Sequence, residues 1–175
     1  MIMRTKGIAL TLIGFVWLLQ ACTYKLSLDG VSIPANMKTI RIEFFENTAP
    51  LVVNTLSQQF TEALKERIRN TTSLSVVNNE ADAVMSGTIT DYNIAPVSVQ
   101  ATNNTTAPLA DQTRLTITVS VKYVCDADKK LSFEQSFTKY KDFKGELGSQ
   151  EQALILDINK QLIEDIFNKA FANWD

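Results

Sequence analysis

Leu19-Gln20-Ala21-Cys22 places a thiol straight after an apolar run of thirteen residues, Gly7 to Leu19, in a chain with two cysteines. Other reactive groups are scarce. The sequence has no histidine, which removes the commonest general base and the commonest metal ligand. If Cys22 is modified, Cys125 is the one remaining thiol, too few for a zinc site or a disulfide framework. No G-x-S-x-G, P-loop or G-x-G-x-x-G motif occurs. Asp126 and Asp128 lie close in sequence, but in Cys125-Asp126-Ala127-Asp128-Lys129-Lys130 they read as a solvated hairpin turn. The expectation is a protein without catalysis, metal or cofactor, whose reactive residue is Cys22.

The segment before Cys22 supports that reading. Arg4 and Lys6 precede the apolar run, which is well short of the ~20 residues that cross a bilayer. Basic start, short apolar middle and small Ala21 make a signal peptide. With the thiol directly after Ala21, the pattern resembles a bacterial lipobox. That implies diacylglycerol transfer to the Cys22 sulfur, cleavage before Cys22 and acylation of the new amino terminus. Two or more acyl chains anchor stably where one does not. Thr23-Tyr24-Lys25 follows instead of the aspartate that in such sorting signals retains a lipoprotein at the inner membrane. The expected address is the periplasmic side of the outer membrane.

The expected division is a signal peptide over 1–21, a lipid anchor and tether over 22–37 carrying Gly30 and Pro34, and a single domain over 38–175. Cleavage leaves 175 minus 21, or 154 residues, enough for one substantial core. It removes two of seventeen basic residues and none of nineteen acidic ones, so the mature net charge is 15 minus 19, or −4. Nucleic acid is therefore not an expected partner.

Hydrophobic period supplies the elements. Ile40, Ile42 and Phe44 alternate with Thr39, Arg41 and Glu43, a half-buried strand. Asn47-Thr48-Ala49-Pro50 provides a turn, a capping residue and a proline for a first helical turn. Val52, Leu56, Phe60, Leu64 and Ile68 form a helical stripe. Leu74–Val77 is a short strand, and Ala83, Met85, Gly87 and Ile89 face inward along another that ends near Asp91-Tyr92. Residues 95–112 read as a long loop, of a kind that is functional or disordered.

Arg114–Val124 alternates most clearly, with Leu115, Ile117, Val119, Val121 and Tyr123 on one face. The partner strand puts Leu131, Phe133 and Phe137 inward. It is expected to bulge or end before Lys139 and Lys141, which share that parity. Ser149 and Gln152 fit a capping box for a last helix with a wide apolar face from Leu154 to Phe171. The economical fold is α+β, a two-layer sandwich with both helices on one face of a small, mostly antiparallel or mixed sheet of four to five strands.

The opposite face would carry Thr39, Arg41, Glu43, Thr88, Thr90, Arg114, Thr116, Thr118, Ser120 and Lys122. It is either ordinary solvated strand surface or a contact face.

Ala21–Tyr24 running to Gly30 and Ile33-Pro34, Lys38–Ile40 with Phe44–Pro50, Leu56–Leu64, Ala81-Asp82 with Gly87–Tyr92, Arg114–Val119, and Ile166–Asn168 with Trp174 form a series along the chain. Taken in that order, these stretches resemble the LptE family of lipopolysaccharide-assembly lipoproteins. The resemblance implies two helices on a small mixed sheet, in a protein that plugs the LptD β-barrel of the outer membrane and helps it assemble. It also implies help in delivering lipopolysaccharide to the cell surface. Expected partners are that barrel, lipopolysaccharide, and the membrane through the N-terminal lipid.

Charge-assisted bonds to phosphate make Arg41, Arg114, Lys122, Lys129 and Lys130 candidate lipopolysaccharide or barrel contacts. Arg114 and Lys122 share a strand face but lie roughly 27 Å apart at about 3.4 Å per residue, too far to hold one phosphate. The alternative reading is an outer-membrane lipoprotein that activates a penicillin-binding protein. A third, a periplasmic enzyme acting on glycans, would need two close, buried carboxylates.

Overall fold

The computed structural model describes residues 33–51, 53–97 and 112–172. Cys22, the tether as far as residue 32, Val52, loop positions 98–111 and Trp174 lie outside the described residues.

The strands are β1 (Thr39–Ile42), β2 (Glu46–Asn47), β3 (Ser75–Val77), β4 (Ala83–Val97), β5 (Gln112–Cys125) and β6 (Phe133–Phe143). The helices are α1 (Leu56–Thr71), between β2 and β3, and α2 (Glu151–Phe171), after β6. The sheet runs β3-β1-β4-β5-β6, with β2 also paired to β4. β1 is parallel to both neighbours, whereas β4, β5 and β6 form an antiparallel meander. The fold is α+β with a mixed sheet, as expected, but it has six strands among the described residues instead of four to five. The extra one, β2, is two residues long, too short for any period to register.

The inward residues of β5 from Leu115 to Val121 have no exposure, and neither have Leu56, Phe60, Leu64 and Ile68 of α1. With Ile155, Ile158, Leu162 and Ile166 of α2 they make one core. Cys125 closes β5 as a free, buried thiol.

Five local expectations are corrected. Phe44 is 58% exposed and Phe45 is fully buried. The chain leaves β1 after Ile42, and Phe45 turns in over Gly87, against which it is seated. Its amide donates to Thr61 Oγ1 of α1 at 3.1 Å, and its ring lies 5.2 Å from that of Phe60. Helix α1 starts at Leu56, later than Pro50 suggested, because Asn47 Oδ1 accepts from Ala49 N and closes a separate turn.

Strand β4 does not end at Tyr92 but continues to Val97. Its register slips at Thr90, so that Ile89 faces Val119 while Asp91 faces Thr118. The bulge moves the inward set from odd to even positions, burying Tyr92. A period-2 reading loses the strand at that point.

Strand β6 neither bulges nor ends before Lys139, since its pairing with β5 is unbroken from Phe133 to Phe143. Lys139 and Lys141 point to the helix side and are ion-paired with Asp165 (2.7 Å) and Asp157 (2.6 Å) of α2. The Ser149–Gln152 capping box does not form either. Gln150 is the N-cap residue, its Nε2 donates to the carbonyls of Lys144 and Glu146, and Gln152 Nε2 donates to Gln59 Oε1.

Candidate functional site

The face of the sheet away from the helices is built from the outward residues of β4, β5 and β6. Successive rows across it are Ser86-Lys122-Glu134, Thr88-Ser120-Ser136, Asp91-Thr118-Thr138, Asn93-Thr116-Tyr140 and Ala95-Arg114-Asp142. Alternation along β5 dictates its own members of these rows, because each inward aliphatic forces its neighbours to the other face, and the register with β4 and β6 sets the rest. The middle rows carry hydroxyls. Thr118 and Thr138 are hydrogen-bonded at 3.0 Å, and Thr90 Oγ1 donates to the Thr118 carbonyl at 3.4 Å.

Arg114 is already engaged. Its Nε donates to Asp142 Oδ1 at 2.7 Å and its Nη2 to Oδ2 at 2.9 Å, a bidentate pair, while the guanidinium lies 3.7 Å from the centre of the Tyr140 ring. The hydrogen bond from Arg114 holds the Asp142 carboxyl below the usual carboxylate range. Fork geometry and ring stacking together fix the arginine in place. Tyr140 and Asp142 escaped the sequence reading because β6 was expected to stop short of them. Their signal was the alternation Ser136, Thr138, Tyr140, Asp142 continuing the polar face.

At the other end of the sheet Arg41 faces Val84, which faces Val124, two residues beyond Lys122. Lys129 and Lys130 follow just after β5 in a single 3-10 turn capped by Asp128, whose Oδ1 accepts from Lys130 N. The fold therefore gathers Arg41, Lys122, Lys129 and Lys130 at one end and leaves Arg114 at the other. Acidic groups are interleaved: Arg41 is 3.1 Å from Glu43 and Lys122 is 3.9 Å from Glu134. Arg41 also lines a hollow of about 350 Å³ with Glu80, Ala81, Val84 and Asp126. Lys129 and Lys130 have no ion-pair partner among the described residues.

The start of this end is clamped by Asp82. Its Oδ2 accepts from Lys38 N, Thr39 N and Thr39 Oγ1 at 2.8 to 2.9 Å, and Asp82 N donates back to Thr39 Oγ1. Those bonds, the Lys38 amide first, lower its pKa.

No group of acidic residues or cysteines suited to a metal ion occurs among the described residues, and no described helix is long and apolar enough to cross a membrane. The geometry offers a hydrogen-bonding surface with its charges mostly paired, and free amines at one end.

No curated protein sequence matches the chain. Among solved structures, an uncharacterized lipoprotein B from Nitrosomonas europaea superposes with a TM-score of 0.55 at 16% identity, covering 83% of this chain and 88% of that one. A hypothetical protein from Chlamydia trachomatis gives 0.50 at 7% identity, covering 77% and 98%. Rare lipoprotein B from Shewanella oneidensis gives 0.48 at 10% identity, covering 75% and 90%. The sequence itself matches the family model described as LptE, lipopolysaccharide-assembly, over residues 37–170. That span takes in the six described strands, α1, and α2 as far as Ala170. This chain belongs to the LptE lipopolysaccharide-assembly family.

Proposed function

We propose that this protein is anchored through Cys22 to the periplasmic side of the outer membrane, over 22–37 as a tether, and that its domain over 38–175 plugs an LptD-like β-barrel. In that role it helps the barrel assemble and assists lipopolysaccharide passage. The observation that supports the plug reading most is the sheet face of β4 to β6: rows of hydroxyls flanked by ion pairs. The interior of a membrane barrel is polar. A surface of hydroxyls and neutralised charges satisfies such a lumen without burying a lone charge.

The lipid contact is better assigned to Lys129 and Lys130, at the end that also holds the ion-paired Lys122 and Arg41. Phosphate is recognised by cations free to turn towards it, and Arg114 is already committed to Asp142. In this reading Arg114 serves the barrel-facing surface by holding Tyr140 and Asp142 in place.

Purification of tagged protein from outer membranes tests the proposal. A large barrel recovered in equal amount supports it, and wild-type protein should begin at Cys22 and carry lipid mass. Recovery of a penicillin-binding protein without the barrel would move the protein to the alternative reading. Recovery of neither would remove the plug role.

A further inference from the structure

Among the described residues of α2, Asn159 is the buried polar side chain, 3% exposed, and neither its Nδ2 nor its Oδ1 has a hydrogen-bond partner. The other buried polar residues among those described are Ser57 and Thr61, of which Thr61 accepts from Phe45 N, and Arg67 Nε beside the same groove is a further buried atom without a partner. Asn159 lines a groove of about 330 Å³ between α1 and α2, on the helix layer. Ala63 and Ile163 contribute apolar wall, and Leu156, 54% exposed, stands beside them.

The charges around the groove cancel. Arg67 Nη2 is 2.9 Å from Glu164 Oε2, and Glu66 and Lys160 add one charge of each sign. Lining residues on α1 extend from Gln59 to Thr71, about 18 Å at 1.5 Å per residue. That length holds about five residues of extended chain at 3.3 Å each.

We infer that this groove binds an extended, uncharged peptide segment of a partner protein, with one main-chain amide paired to the Asn159 carboxamide. A carboxamide needs an acceptor and a donor side by side, and a peptide unit offers both. A hydrocarbon chain offers neither, and a phosphate finds no net positive charge here. A water would satisfy the amide but leave Ala63, Ile163 and Leu156 uncovered. Pairing in the groove requires a small turn of the Asn159 amide towards the opening, which its sp2 torsion permits.

The test uses full-length protein in nanodiscs and a fluorescein-labelled, capped pentapeptide of alanine and valine, followed by fluorescence anisotropy. Saturable binding is expected, weakened at least about tenfold, or 1.4 kcal/mol, in Asn159→Leu. Methylating the peptide's central amide nitrogens should weaken binding to the wild-type protein as much. The melting temperature of Asn159→Leu should not fall, because leucine of similar volume removes two unsatisfied atoms. Absence of saturable binding, or equal binding by Asn159→Leu and by the methylated peptide, overturns the inference. Displacement by dodecanoate would make the groove a lipid site. Self-association lost in Asn159→Leu would make it an interface between copies. Either result also overturns the inference.

Discussion

A Cβ added at Gly87 would lie 2.5 Å from Cε1 of Phe45 and 2.2 Å from the carbonyl oxygen of Ser120. The missing side chain on β4 is thus the seat of the ring that closes the core between β1 and α1. Gly87→Ala should destabilise by about 1 to 3 kcal/mol through overpacking, and Phe45→Ala by about 3 to 5 kcal/mol through the cavity left. The double variant should lose less than the sum, since removing the ring relieves part of the clash. Denaturant melts of the three variants measure this, and strict additivity would mean that the two positions do not share the space.

The pairing of Gly87 with Phe45 illustrates what the sequence could and could not disclose. The long β5 alternation and the Leu56–Ile68 stripe were legible because each keeps its period without interruption. The inward turn at Phe45 was not, because Phe44 continues the period of Ile40 and Ile42 and the reason to break it lies on β4. The bulge at Thr90 hid the second half of β4 in the same way. At the candidate site, the β5 residues of the polar face followed from that strand's own alternation, whereas Tyr140 and Asp142 of β6 did not. Arg114's commitment to Asp142 did not either, because it depends on cross-strand register between residues 28 apart. The lysines of β6 looked like the end of a strand because their counter-ions sit on a helix that a single strand's period cannot foresee.

Asp82 should make stability depend on acid pH. Its folded pKa lies below the unfolded one, near 3.9 for aspartate, because Lys38 N and Thr39 donate to the ionised form. The contribution is therefore present above about pH 4 and lost as pH falls through the folded pKa. Asp142, lowered by Arg114, has the same sign. Asp82→Asn should be less stable at neutral pH and should lose less stability than wild type on acidification below about pH 4. Thermal melts at pH 7 and at about pH 3 give the comparison, and parallel curves for the two proteins would exclude Asp82 as a source of the dependence.

Lys139 and Lys141 guard the outer edge of the sheet. β6 is an edge strand, and inward-pointing charges are a means of keeping such a strand from pairing with another chain. Exposed ion pairs contribute only about 0.2 to 1 kcal/mol each, so the double variant Lys139→Val, Lys141→Val should melt near wild type, and it should aggregate faster. Light scattering at equal concentration checks the second half. A variant that melts far lower yet stays monomeric would show that the pairs with Asp165 and Asp157 hold α2 on the sheet instead of protecting its edge.

Charge reversal separates the two ends of the polar face. Lys129 and Lys130 are exposed, without an acidic partner among the described residues, so Lys129→Glu with Lys130→Glu should weaken binding of purified lipopolysaccharide by tenfold or more, about 1.4 kcal/mol, while surface substitution shifts stability by about 0.5 kcal/mol or less. Arg114→Leu should do the reverse. It strips Asp142 of its bidentate donor and Tyr140 of its stacked cation, which should lower stability and leave lipopolysaccharide binding within about twofold, a difference of only ~0.4 kcal/mol. The asymmetry follows from geometry: a cation held by two hydrogen bonds and a ring must break them before it can meet a phosphate, whereas a free amine on a turn need break none. If Arg114→Leu abolishes lipopolysaccharide binding with the fold intact while the double lysine reversal has no effect, the lipid end of the face has been assigned to the wrong end of β5.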